Sequence, residues 1–273
     1  MCFVAVSLGL LVQGDAVGLS TNGRYLFLFA HPDDDVMICG TMKMLIDAGA
    51  EVHGAWLGSG DWLGQGPTRR AERSKAAKIM GLKRSRTHVL GIADMHFLGN
   101  LEQAARKTAA LFSRIKPDIV FVPAYEGGHP DHDAVNFLAY EASRRTGLRP
   151  KLFEFPLYNA TGPAYHWWWR VNDFPPGGPA VFSTPLNGAA VDAKFEIIRT
   201  YSSQWMLMIP ARLAFSRSEL LEVGELYRPC PADRDHTVRP HEDMLSYERW
   251  FNFFLGADFE DFRKAVLKTR RGH

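Results

Sequence analysis

From residue 24 onward, short apolar runs alternate with longer stretches in which apolar residues recur every three or four positions. Residues 25–30 (YLFLFA) read as a buried strand, and the acidic cluster at 31–35 leads into a helix over 36–48 that stops at Gly49. Residues 51–57 are the next strand, and the glycines of GSGDWLGQGP (58–67) mark a loop. A helix over 68–80 carries Ala71, Ala76, Ala77 and Ile79 at helical spacing and ends at Gly81. A short strand at 88–91, a helix at 101–115, a β-branched strand at 118–123 (DIVFVP), a helix at 133–145 and a strand at 151–156 complete the series. Strands alternating with helices predict an α/β, Rossmann-like fold, with a mostly parallel sheet flanked by helices and joined by right-handed crossovers.

Beyond residue 156 the pattern changes. Residues 157–190 are rich in Pro, Gly and Trp, a helix resumes over 191–201, and the C-terminal third is less regular. With no internal repeat and no low-complexity linker, the expectation is one domain, a core at about 24–156 and a C-terminal elaboration at about 157–273. The apolar run at 3–12 lacks the basic flank of a secretory signal and is too short to span a bilayer, so it reads as a strand or an apolar N-terminal arm.

Composition narrows the function. The 273 residues are 46% hydrophobic, ordinary for a globular chain, and 32 Lys+Arg against 30 Asp+Glu leave a net charge of +2. That balance offers no footprint for nucleic acid or an anionic membrane as main partner and leaves small-molecule chemistry. Cys2, Cys39 and Cys230 form no CxxC pair, which excludes a zinc knuckle or a disulfide framework and fits a reducing, cytoplasmic compartment.

Two clusters carry the candidate chemistry, His31-Pro32-Asp33-Asp34-Asp35 and His129-Pro130-Asp131-His132. Either one alone also reads as a turn whose carboxylate caps a helix. Each follows a predicted strand, however, and open α/β sheets bind ligands beyond the carboxyl ends of their strands. An imidazole and a carboxylate on one turn plus a histidine from the other loop make a three-donor N/O set with room for water, the composition of a catalytic zinc site. Without thiolates the set also suits Fe(II), Co(II) or Mn(II).

With these motifs the chain resembles the LmbE-like, or GlcNAc-phosphatidylinositol de-N-acetylase, family of zinc-dependent deacetylases over roughly residues 24 to 204. The resemblance rests on AHPDDD (30–35) and GGHPDH (127–132), on Gly40 and Thr41, on Arg69-x-x-Glu72 and Ala76-Ala77, on Pro117-Asp118, and on Lys194 with Tyr201-Ser202-Ser203-Gln204. It implies one zinc per chain on His31, Asp34 and His132, with Asp33 as general base. Asp35 stands where the family more often has Glu, a departure expected to alter only local helix capping. The family also implies that Arg69 and Asp94 hold sugar hydroxyls. Its loop tyrosine is missing, since position 127 is Gly and Tyr125 lies further back.

A metal ion there would bring a water's pKa towards neutrality. Asp33 would take the water's proton during attack on an acetamide, and the imidazole of His129 would help stabilise the oxyanion. Asp131 would orient His129 or a metal ligand, and either Asp33 or His129 would protonate the leaving amine. Ser59 and Asp61 in the glycine-rich loop are further substrate candidates. The tract His166-Trp167-Trp168-Trp169, with Tyr158, Tyr165 and Phe174, predicts an aromatic wall in which His166 and Trp167 meet a bulky aromatic or lipidic aglycone. His236, His241 and the basic run at 263–271 carry no expected role.

The resulting expectation is a hydrolase that removes the acetyl group of an N-acetylglucosaminyl moiety. By resemblance its substrate is a glycopeptide-antibiotic pseudoaglycone of the teicoplanin type, with mycothiol- or bacillithiol-type precursors as alternatives. The partner is thus a small glycoconjugate, with no nucleic acid and no integral membrane association. A metallo-phosphoesterase and a non-catalytic sugar-binding protein are the rivals from other classes.

Overall fold

The computed structural model describes residues 19–162, 169–251 and 257–272. Five strands run parallel: β1 (Arg24–Phe29), β2 (Glu51–Gly58), β3 (Thr87–Ile92), β4 (Ile119–Pro123) and β5 (Lys151–Phe155). β1 is apolar at every position after Arg24 because both faces of a parallel sheet are covered. Tyr25, Phe27 and Phe29 enter one core with Trp56 and Phe121, while Leu26, Leu28 and Ala30 enter the other with Val120 and Val122. Phe27 stacks on Phe121 with ring centroids 4.7 Å apart.

The first core is covered by α1 (Cys39–Asp47) and α2 (Gly66–Met80), and the second by α3 (Leu101–Ile115) and α4 (Pro130–Thr146). The C-terminal region is built onto the same sheet. After a small hairpin of β6 (Tyr158–Asn159) and β7 (Arg170–Val171), it supplies β8 (Phe182–Thr184), α5 (Gly188–Thr200), α6 (Trp205–Ala214), α7 (Arg217–Glu222), β9 (Glu225–Pro229) and α8 (Phe259–Arg271). The seven strands lie in the order β3-β2-β1-β4-β5-β9-β8, the last two pairings being antiparallel. From β1 the chain proceeds outward through β2 and β3 on one side and β4 and β5 on the other. The loops leaving β1 and β4 therefore part and open a crevice between them.

Two boundaries differ from the sequence reading in ways that shape the site. Residues 34–37 form a separate 3-10 turn before α1 instead of the first turn of a helix over 36–48. Lys194 donates to the carbonyls of Val36 and Met37, and the carboxylates of Asp34 and Asp35 turn inward rather than capping α1. Likewise α4 begins at Pro130, not near 133, since proline fits a first helical turn and His129 Nδ1 caps it by accepting from the Asp131 amide at 3.0 Å.

The apolar run at 3–12 and the pair His166 and Trp167 lie outside the described residues. No helix among the described residues is long and apolar enough to cross a membrane.

Candidate metal centre and cavity

The loops after β1 and β4 bring the two His/Asp clusters together. His31 Nδ1 and His132 Nε2 are 3.3 Å apart, His132 Nε2 and Asp34 Oδ1 3.1 Å, and His31 Nδ1 and Asp34 Oδ1 3.8 Å. Donors bound tetrahedrally at zinc-like distances stand about 3.3–3.4 Å from one another, so this triangle fits a metal ion. Asp34 is fixed by its other oxygen, which accepts from the His31 amide at 2.8 Å. The other nitrogen of His31 meets Asp131 Oδ2 at 3.1 Å, the carboxylate–imidazole arrangement that sets the tautomer of a metal-ligating histidine. The Asp131 carboxylate thus meets His31, while its amide donates to His129 Nδ1.

All these groups are buried, and their charges compensate one another. Burial works against a charged His31, but the hydrogen bonds and charges of Asp131 and Asp34 outweigh it and hold the imidazole well above its usual value. Burial also opposes ionisation of Asp34, yet His132 and His31 keep its carboxyl well below the usual range. His129 goes the other way, pushed well below its ordinary value by burial and by the neighbouring His31 and His132, against the pull of Asp131.

The imidazoles of His31, His129 and His132 also present nitrogens within 4.8 Å of one another. The set with Asp34 is tighter, and both nitrogens of His129 have other partners. Nδ1 takes the Asp131 amide, and Nε2 lies 3.2 Å from Met95 Sδ.

A cavity of about 580 Å³ opens above this floor. Asp33 lines it, held through Oδ1 by Arg69 at 2.8 Å, and Arg69 also reaches Asp94 Oδ2 at 3.3 Å. Arg69 and Asp94 are thus in the cavity, joined in one chain with Asp33. Ser59 and Asp61 do not line it and serve their own loop instead. Ser59 Oγ accepts from the Asp61 amide, and Asp61 Oδ1 accepts from the Gly66 amide at the start of α2. Of the expected aromatic wall, Tyr158 and Trp169 line the cavity, whereas Phe174 packs under Arg228, whose guanidinium carbon lies 4.2 Å from the ring centre. Tyr125 points elsewhere, donating to the Val238 carbonyl at 2.8 Å.

Residues 26–143 match the model of the PIG-L family, described as GlcNAc-PI de-N-acetylase. A curated relative, the diacetylchitobiose deacetylase of Thermococcus kodakarensis, is 30% identical over 142 residues, 46% of this chain, and the chain spans about half (51%) of that relative's length. A conserved protein of Thermus thermophilus superposes with a TM-score of 0.57 at 23% identity, covering 77% of this chain and 94% of that one. A deacetylase of the teicoplanin biosynthesis pathway does so with a TM-score of 0.59 at 17% identity, covering 78% of this chain and all (100%) of that one. The two structural likenesses are of fold.

Residues of the C-terminal region hold the loop that carries His31 and Asp34 from behind. Lys194 Nζ and Glu225 Oε1 are 2.7 Å apart with no exposed surface, and Glu225 also accepts from the amides of Gly40 and Thr41 at the start of α1. A Cβ on Gly40 would stand 2.3 Å from Leu186 Cδ1, so any side chain there would force Leu186 to shift. Tyr201 donates to Asp35 Oδ2 at 2.7 Å, which makes Asp35 a buried anchor and not a helix cap. Burial pushes the Asp35 carboxyl well above the usual range, against the bond from Tyr201. Ser202 and Ser203 bind both carboxylate oxygens of Glu72 on α2.

Two residues that the motifs did not mark belong to the site. Glu225, nearly two hundred residues from α1, has no local signal in the sequence. Met95 follows Asp94 just beyond β3, a placement at a strand's carboxyl end that was open to sequence reasoning. Its left-handed backbone (φ 65°) aims its amide at Asp131 Oδ2, 2.8 Å away, and its sulfur lies against His129.

Proposed function

We propose that this protein is a zinc-dependent deacetylase of N-acetylglucosaminyl conjugates with apolar aglycones, a glycopeptide pseudoaglycone being the preferred class. The observation that carries this reading is the triangle of His31 Nδ1, Asp34 Oδ1 and His132 Nε2 with the Asp33 carboxylate beside it on one cavity wall. When bound, zinc supplies Lewis acidity and brings a water's pKa near neutrality.

The chain's own groups do the remaining work. Asp33, fixed by Arg69, accepts the proton of the attacking water and returns it to the departing amine. Because His129 Nδ1 accepts from the Asp131 amide, the proton of the neutral ring sits on Nε2, which donates to the oxyanion as it forms. Asp131 holds His31 in the tautomer that leaves Nδ1 unprotonated. Trp62, Leu157, Tyr158, Trp169 and Val171 give the cavity an apolar side for the aglycone. The match of residues 26–143 to the PIG-L model and the diacetylchitobiose deacetylase relative support an N-acetylglucosamine amide. The likeness to the teicoplanin-pathway deacetylase is in keeping with the finer assignment. A two-metal phosphoesterase would need a second donor cluster, and among the described residues the histidine group is the one found.

The test is acetate release from diacetylchitobiose and from a glycopeptide pseudoaglycone by the zinc-loaded protein and by Asp33→Ala. The expected result is release by the native chain, faster with the pseudoaglycone, and a loss of about 10²-fold or more in Asp33→Ala with zinc still bound. No release from either substrate overturns the reading.

A further inference from the structure

Helix α6 contradicts the usual rule for a surface helix, which buries its apolar stripe and exposes its polar one. Trp205 is 62% exposed, Met206 68%, Ile209 48% and Leu213 53%. Helical spacing places these four side chains within one arc of about 120°, with the exposed Arg212 at its edge. The opposite side is where Ala211 is buried in the core. The helix WMLMIPARLA contains no acidic residue.

This face continues into the cavity. Trp205, Met206, Met208 and Ala211 line the cavity wall, and Trp62, also exposed, lines it from a loop joined to α6 by the 2.9 Å bond from Gln204 to Gln65. Trp205 and Met206 thus belong both to the exposed face of α6 and to the lining of the cavity that holds His31, Asp34 and His132.

We propose that α6 and Trp62 form a membrane-contact surface that lies in the headgroup boundary of a phospholipid bilayer and opens the cavity towards it. Three observations favour a lipid surface over a protein partner. Tryptophans stand at the polar–apolar edge, as in helices that lie in an interface. The one charge on the helix is a cation, complementary to anionic headgroups. A protein seated here would also stop the cavity mouth, whereas a bilayer would present amphiphiles to it. The whole-chain charge of +2 conceals this face, since its driving term is local apolar area.

The test is flotation of the zinc-loaded full chain with vesicles of phosphatidylcholine alone and of phosphatidylcholine mixed equally with phosphatidylglycerol. Ile209 and Leu213 are outside the cavity lining, so Ile209→Glu/Leu213→Glu tests the surface without touching the reaction. Binding to both vesicles is expected, about fivefold stronger on the mixed ones, with that preference lost in Arg212→Glu. The double variant should bind at least about tenfold more weakly with an unchanged melting temperature. Failure of the native chain to float, or equal flotation of the double variant, overturns the proposal. So does a native dimer that the double variant abolishes, which would make the face a contact between two copies of this chain. Vesicle binding is read without turnover, so its outcome is separate from that of the deacetylase assay.

Discussion

Lys194 Nζ and Glu225 Oε1 meet at 2.7 Å with no solvent on either side, and between them they bind the carbonyls of Val36 and Met37 and the amides of Gly40 and Thr41. One ion pair from the C-terminal half therefore fixes both ends of the turn that leads from the candidate metal ligands into α1. Removing one partner leaves a charge buried and uncompensated, which costs about 3–5 kcal/mol. Lys194→Met and Glu225→Gln should each lose stability on that scale in urea unfolding, while Lys194→Met/Glu225→Leu should lose less than the two single losses added together.

Metal affinity separates the two candidate donor sets. Because Asp131 holds His31, Asp131→Asn should weaken zinc binding about 10–100-fold in competition with a chromophoric chelator. His129→Ala should leave the affinity within a few-fold of native, because Asp34 and not His129 completes the triangle. A collapse of affinity in His129→Ala would instead favour the three-histidine set.

Glu126 provides a pH signature outside the candidate donor set. Its buried carboxyl accepts from the amides of Leu157 and Tyr158 and from Asn159, and burial, only partly offset by those bonds, pushes its pKa up to about 8. Between the unfolded value near 4.5 and about 8 the folded chain keeps a proton that the unfolded chain releases. Stability should therefore fall as pH rises through that window, by about 1.4 kcal/mol per pH unit from this group. Glu126→Gln should flatten this part of a stability–pH profile measured by urea unfolding.

Gly128 is needed for close approach. A Cβ there would stand 1.9 Å from the Tyr158 carbonyl oxygen, backbone that has no side-chain freedom to move aside. Gly128→Ala should cost about 1–3 kcal/mol in stability. It should also reduce turnover, because His129 is the next residue, and thermal unfolding with a steady-state assay checks both.

The chain's local pattern determined much of this protein. The buried strand at 25–30 and its partner at 119–123 were legible because apolar, β-branched and aromatic residues run through them, and the place of His31, Asp34 and His132 beyond those strands followed from sheet topology. The sequence also marked Lys194, Glu72 and Tyr201 by resemblance without saying what they touch. Only the tertiary structure decided that Lys194 reaches Glu225, that Tyr201 holds Asp35, that Arg69 joins Asp33 to Asp94, and that Ser59 and Asp61 serve their own loop. The Tyr201–Asp35 pair lies 166 residues apart, and no local propensity or periodicity encodes a contact at that range. The exposure of α6 was hidden for the same reason, since an apolar helix reads identically whether its partner is a protein core or something outside the chain.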